Sequence, residues 1–402
     1  MRRAGAMTIA ALFALMLFEP AHAQASFDGW KRSFWRQAYA AGISRAIYDN
    51  AMHGVTLDRE VIAKTDNQAE FVKPVWDYLE RVVSDTRIEN GREKLRENAP
   101  VLYQIEKSFG VDRHVVVAIW GMESAYGAVL DNHKIMRPVV RSLVSLAYDG
   151  GRYKNFGRKQ LIAALKILQH GDVDPAHMMG SWAGAMGHTQ FIPTTYNAYA
   201  VDFDGDGKRD IWGSIPDALA STAAYLNSSG WEPGKTWGYE VKLPHGFNYA
   251  LGDTRKKRPL AEWAKLGVRR TEGRNFPRPS DEVYLLAPAG AKGPAFLMLK
   301  NFDVIKRYNN ADSYALAVGH LADRLRGGDA FVRNWPDGDR PLNDDETKRM
   351  QSLLNRRGYE AGTVDGKIGS QTRAAIRSYQ RDVGMAPDGF ASFLLLKQLQ
   401  GD

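Results

Sequence analysis

His114-Val-Val-Val-Ala-Ile-Trp-Gly-Met-Glu-Ser-Ala-Tyr-Gly127 is apolar throughout except for one carboxylate, Glu123. Read as a helix, it places Val116, Ile119, Trp120 and Glu123 on one face, so the acid shares the apolar stripe. Burial against Ile119 and Trp120 disfavours the ionised form and raises the pKa, as a general acid working near neutral pH requires. The Val-rich run also suits a buried strand, and a Glu at the edge of a core helix can be satisfied by an amide or an Arg. Gly110-Val-Asp112 precedes it as a loop, with Asp112 a fitting N-cap.

Outward from this stretch the chain is long, 402 residues, and 44% hydrophobic, enough for two or three domains with real cores. Met1-Arg-Arg, the apolar run Met7 to Phe18 and Ala21-His22-Ala23 together read as an export signal over residues 1–23, cleaved near Ala23. The apolar run falls below the ~20 residues of a spanning helix. With no cysteine, neither a disulfide nor a thiol for lipid attachment is available, and a soluble, periplasmic mature protein is expected. A net charge of +8 suggests an anionic partner, with nucleic acid and an acidic envelope polymer as the candidates.

Helices are expected over Phe27 to Ala40, Pro74 to Val83, Val101 to Phe109, Val139 to Tyr148 and Arg158 to His170. Strands are expected at Val283 to Ala287 and Phe296 to Leu299. A further helix opens near Tyr308 and runs to Leu325. Residues 327 to 343 are rich in Gly, Asp, Pro and Arg and read as a linker. A compact module of three helices follows, about the smallest size that folds alone. This gives a mainly α (α+β) fold with domains at 24–335 and 336–402.

Two further segments carry chemistry. In Ser181-Trp-Ala-Gly-Ala-Met-Gly-His-Thr-Gln-Phe-Ile-Pro193 the small residues permit close backbone approach, of a helix or of a ligand, and Thr189 and Gln190 are polar groups that need partners. In Asp202-Phe-Asp-Gly-Asp-Gly-Lys-Arg-Asp210, oxygens at loop positions 1, 3, 5 and 9 and a carbonyl from Lys208 follow the calcium-loop pattern. Gly213 stands where that loop has its bidentate Glu, so Asp217 is the nearest carboxylate to complete the set; a solvated turn is the other reading. No zinc constellation, nucleophile elbow or phosphate-binding loop is present in the sequence.

Glu123-Ser-Ala-Tyr-Gly127, Ser181 to Gly187 with Gln190-Phe-Ile-Pro193, the Asp-Gly-Asp-Gly loop ending in Trp212, and Arg307-Tyr-Asn-Asn310 with Tyr314 together resemble the lytic murein transglycosylase B family, over roughly residues 26 to 335. Leu354, Gly358-Tyr359, Gly362, Asp365-Gly366, Gly369, Thr372, Ala375-Ile376, Tyr379-Gln380, Gly384 and Asp388-Gly389 resemble the peptidoglycan-binding domain 1 family. The resemblance implies a lysozyme-like helical core with a small β subdomain, and cleavage of the MurNAc–GlcNAc bond of peptidoglycan strands without water, leaving a 1,6-anhydro sugar. It makes Glu123 the catalytic acid and base, and puts Ser124, Tyr126, Ser181, Gln190, Tyr225, Tyr308, Asn309, Tyr314 and Tyr78 around the sugars. No cofactor is expected for the chemistry itself. Structural calcium at Asp202, Asp204 and Asp206 follows from the same likeness, with Lys208 and Asp217 added by the loop pattern. A glycosidase commonly needs two carboxylates, whereas one suffices when the nucleophiles belong to the substrate. A hydrolysing muramidase, a non-catalytic wall-binding protein and a nucleic-acid binder are the competing readings.

Overall fold

The computed structural model describes residues 19–66, 74–253, 255–271 and 273–401. The export signal expected over residues 1–23 lies outside these, apart from the start of the helix Glu19–Ala40. Eighteen α-helices and short strands make up the described residues, a mainly helical chain with a small sheet. No helix among them is long and apolar enough to cross a membrane. Packing divides the chain into two units, one from the chain up to 68 with 127–221, the other from 69–126 with 222 onward.

In the first unit, the helix Val139–Asp149 packs along Lys154–His170, the first presenting buried Val, Leu and Ala and the second buried Leu, Ile and Ala. Gly157 makes that approach possible, since a Cβ there would sit 2.6 Å from the Ala147 amide nitrogen. Gly171, at φ 91°, closes the second helix in the left-handed conformation.

In the second unit, Asp112 caps the helix Arg113–Ser124, accepting from the His114 amide at 2.8 Å, and also pairs with Arg326. Seven consecutive side chains, Val115 to Gly121, are buried, which settles the helix over the strand. This helix packs on Asp312–Leu325. Beside them stands a five-stranded antiparallel sheet whose central partners are Gly238–Lys242, Ala295–Met298 and Glu282–Leu286. Its core gathers Val241, Leu260, Trp263, Val283, Leu285 and Leu297.

The last three helices, Asp344–Arg356, Ser370–Asp382 and Phe393–Gly401, enclose Met350, Leu354, Ile376, Tyr379, Leu396 and Leu399. Asn343 and Glu346 form a capping box, and Arg340 grips both Glu346 oxygens, at 2.7 and 2.6 Å, which pulls that carboxyl down to about 2.

Residues 327 to 343 depart from the expected linker. Phe331 stacks on His320 with centroids 3.8 Å apart, and Trp335 on Trp76 at 5.8 Å. The amides of Val332 and Arg333 donate to the Glu240 carboxylate at 2.8 and 2.9 Å. The module is docked as well: Asp388 accepts from the Ala291 amide at 2.7 Å, and Arg377 pairs with Asp253 at 2.6 Å. Aromatic anchors at irregular spacing carry no helical or strand period, so the segment reads as loose when it is tied down.

Candidate active site

The site in the second unit starts from the end of the Arg113–Ser124 helix. Ala125, Tyr126 and Gly127 have φ of 50°, 60° and 90°, so three successive left-handed residues stop the helix immediately after the acid. Tyr126 secures this turn: its ring meets Trp120 edge-on at 5.7 Å, and its hydroxyl donates to the Arg87 carbonyl at 2.8 Å. Gly121 leaves the room this ring needs, because a Cβ there would lie 2.5 Å from the Tyr126 ring.

Glu123 keeps part of its surface open to water while protein atoms crowd its carboxylate. Burial raises its pKa to about 7, opposed only by the hydrogen bond from the Tyr314 hydroxyl, 2.5 Å from Oε1. Among the described residues no second carboxylate adds to that shift.

Tyr314 is itself buried, and its phenol is pushed well above 10, first by burial, then by the charges of Glu123 and Tyr308. Tyr78 is raised for the same two reasons, burial and then Glu123. Tyr308 meets Tyr225 edge-on at 5.4 Å, and the Tyr225 hydroxyl donates to the Arg307 carbonyl at 2.5 Å. Asn309 is exposed at the C-terminal cap of the helix Lys300–Tyr308. The structure thus gathers Glu123, Tyr314, Tyr78, Tyr308 and Tyr225: one acid poised to hold its proton near neutrality, with the phenols of Tyr314 and Tyr78 raised beside it.

Two residues expected around the sugars turn inward. Ser124 is 1% exposed and donates to the Trp120 carbonyl of its own helix; Tyr126 is 7% exposed and serves the turn just described. Their place after Glu123 in the motif reflects the packing that ends the helix.

Ser181 and Gln190 belong to the first unit. Ser181 closes a tight turn, its hydroxyl accepting from the Ala185 amide at 3.1 Å and its own amide donating to the Ala185 carbonyl at 2.7 Å. Gln190 sits at φ 54° and donates its side-chain amide to the Gly187 carbonyl at 2.8 Å. The glycines here admit the chain's own backbone and side chains: a Cβ on Gly187 would strike the Ile211 carbonyl, and one on Gly184 would lie 2.7 Å from Leu143.

The acidic loop lies in the same unit. Asp202, Asp204 and Asp217 each bring one oxygen within 4.8 Å of the others. Asp206, expected among the ligands, is outside that group and caps the Lys208 amide at 2.8 Å. Asp217 is fully buried and accepts from the Phe203 and Asp210 amides, at 2.7 and 2.8 Å; burial raises its pKa. It stands on the helix Ile215–Ser228, beyond the reach of the loop's own spacing rule.

The model of the transglycosylase SLT domain matches residues 26–323, and that of the putative peptidoglycan binding domain matches 343–399. The chain is 29% identical over 279 residues to the membrane-bound lytic murein transglycosylase B of Escherichia coli K12, covering 66% of this chain and 73% of that one. It is 49% identical to SltB3 of Pseudomonas aeruginosa, whose structures in complex with NAG-anhNAM-pentapeptide and with NAG-NAM-pentapeptide superpose with TM-score 0.85 over 93% of this chain and 99% of that one. Soluble lytic transglycosylase SltB1 of the same organism is 30% identical, with TM-score 0.64 over 75% of this chain and 100% of that one.

Proposed function

This chain belongs to the transglycosylase SLT domain family and is a lytic transglycosylase acting on peptidoglycan, and from that premise we propose that Glu123 alone carries both proton transfers of the cleavage. The observation that carries the reading is a carboxyl held at about 7 by burial, with a phenol for its partner and no neighbouring carboxylate raising it among the described residues. Such a group protonates the oxygen leaving C1 of the muramyl sugar. The ionised carboxylate then takes the proton of the sugar's C6 hydroxyl as that oxygen closes on C1, giving a 1,6-anhydro end and returning the acid to its starting state. Half-buried Tyr308 and exposed Asn309, just before the acid's partner helix, orient the N-acetyl group that shares the developing positive charge. Tyr78, Tyr225 and Tyr314 offer hydrogen bonds and aromatic faces to the sugars.

The substrate is a glycan strand bearing peptides, as in the ligands of the SltB3 structures. The C-terminal module adds a second hold on the wall, supported by its match to a peptidoglycan binding domain. The basic start, apolar run and Ala21-His22-Ala23 support export to the periplasm with cleavage near Ala23, and the lack of cysteine supports a mature protein without a lipid anchor. Asp202, Asp204 and Asp217 suit calcium, a hard cation that takes carboxylate oxygens, in a structural role.

The test is the fate of water. Digested sacculi should yield muramyl ends lighter than hydrolysed ends by one water, and no oxygen-18 should enter from labelled solvent. Label at those ends would make the protein a hydrolase.

A further inference from the structure

A cavity of about 330 Å³ opens between the small sheet and the docked C-terminal module. Its floor is apolar, with Leu285 and Leu316 fully buried and Phe390 and Tyr249 half-buried. Its polar wall carries Asp253, Asp312 and Asp388 with Arg255 and Arg373. Asp253 already pairs with Arg377 at 2.6 Å, and Asp312 with Arg255 and with Lys306 at 2.9 Å. Asp388 is occupied by the Ala291 and Phe390 amides and by Gln380, at 2.7 to 2.9 Å. Arg373, in the first turn of the helix Ser370–Asp382, is left over: its guanidinium has neither a hydrogen bond nor an ion pair among the described residues, although it lines the cavity. Burial lowers its pKa, the Asp253 carboxylate nearby works against that, and Arg377 and Arg255 add to the lowering. A half-buried cation with five donors and no acceptor is a receptor for a carboxylate.

We infer that this cavity takes a free carboxylate of a peptide carried by the glycan strand, with Arg373 as its ionic partner and Leu285, Leu316 and Phe390 as the wall for its aliphatic side chains. This rests on the peptidoglycan reading above. The juxtaposition favours a substrate-borne peptide: Ser313 and Leu316, which line the cavity, flank Tyr314, the partner of Glu123, on one helix.

The experiment measures calorimetric binding to the full-length chain of four probes: GlcNAc-MurNAc-pentapeptide, the same compound with its peptide carboxyls amidated, the peptide-free disaccharide, and acetate. Arg373→Gln should weaken the first roughly tenfold and leave the amidated and peptide-free probes unchanged, since a charge-assisted pair is lost only where a carboxylate is present. Arg373→Lys, which keeps the charge but not the fork, should fall between, with an unchanged thermal midpoint. Equal affinity of Arg373→Gln for the first probe would overturn the proposal. So would an equal loss on all the glycan probes, which would mean the variant disturbs module docking, and so would acetate binding as tightly as the peptide. A wild type that releases no anhydro ends from intact sacculi would instead sink the transglycosylase reading, while the comparison of carboxylate and amide probes stays readable.

Discussion

The Tyr314 hydroxyl donates to Glu123 Oε1 at 2.5 Å across 191 residues of sequence, and it is the one interaction that works against the burial of the acid. A donor to the charged form favours ionisation, so Tyr314 holds the Glu123 pKa down at about 7 from a higher value that burial alone would give. Under the proposed mechanism Glu123 carries its proton to start the reaction, so turnover should fall as pH rises through about 7. Tyr314→Phe removes the donor and moves that alkaline limb upward, whatever it does to the maximal rate. The pH dependence of kcat/KM for release of anhydro ends measures this; a limb that stays or moves down would show that Tyr314 does not set the acid's proton.

The same shift makes a stability statement. The folded pKa of Glu123, about 7, lies above its ordinary 4.5, so the folded state binds the proton more tightly. Below pH 4.5 the carboxyl is protonated in both states and adds no difference. As pH rises through the window from 4.5 to 7 the folded state loses stability, and above it the full burial cost stands. Glu123→Gln, which keeps an acceptor for Tyr314, should therefore leave stability nearly unchanged at pH 4 and raise it at pH 8. The gain is at most about 3 kcal/mol, less for the water that still reaches the carboxylate. Urea unfolding at the two pH values checks it, and the variant should be inactive at both.

Calcium should raise the thermal midpoint of the wild type over that in chelator, because a cation that binds the folded loop stabilises it by linkage. The three clustered carboxylates set which variants lose the effect. Asp204→Ala should abolish the calcium-dependent rise, whereas Asp206→Ala, whose carboxylate only caps Lys208, should keep it. Equal midpoints with calcium and chelator in the wild type would remove the site.

Much of this was legible in the sequence, and the limits have physical causes. Glu123 stood out because a lone carboxylate on an apolar helical stripe is costly, and the helix, its Asp112 cap and its end near Gly127 follow local rules. Tyr314 emerged only through the family's motif order, since no spacing rule links residues brought together by two packed helices. The inward turn of Ser124 and Tyr126 was hidden for a related reason: a motif preserves the packing around an acid as firmly as the acid's contacts. The loop gave Asp202 and Asp204 by spacing and Asp217 as the nearest further carboxylate, but a pattern cannot say that Asp206 turns to an amide outside the cluster. The Arg373 cavity left no local signal at all, because its lining comes from residues far apart in sequence, from Val75 to Phe390.

The strap between sheet and module carries the last prediction. Trp335 stacks on Trp76, and Phe331 meets Phe296 edge-on at 4.9 Å while covering His320, so the strap packs against the helix–sheet body ahead of the module's own core. A chain ended after Gly338 keeps both strap rings, Phe331 and Trp335, and one ended after Arg333 loses Trp335. Both lack the module and its contacts at Asp388 and Arg377, so their difference isolates the tryptophan. A half-buried Trp in an aromatic pair is worth about 1–2 kcal/mol, or a few degrees in the midpoint of a domain this size. The shorter chain should melt lower by that margin, and Trp76→Ala in the longer chain should reproduce most of the loss. Equal midpoints for the two truncations would show that the strap behaves as a tether, with the rings resting on the surface without holding it.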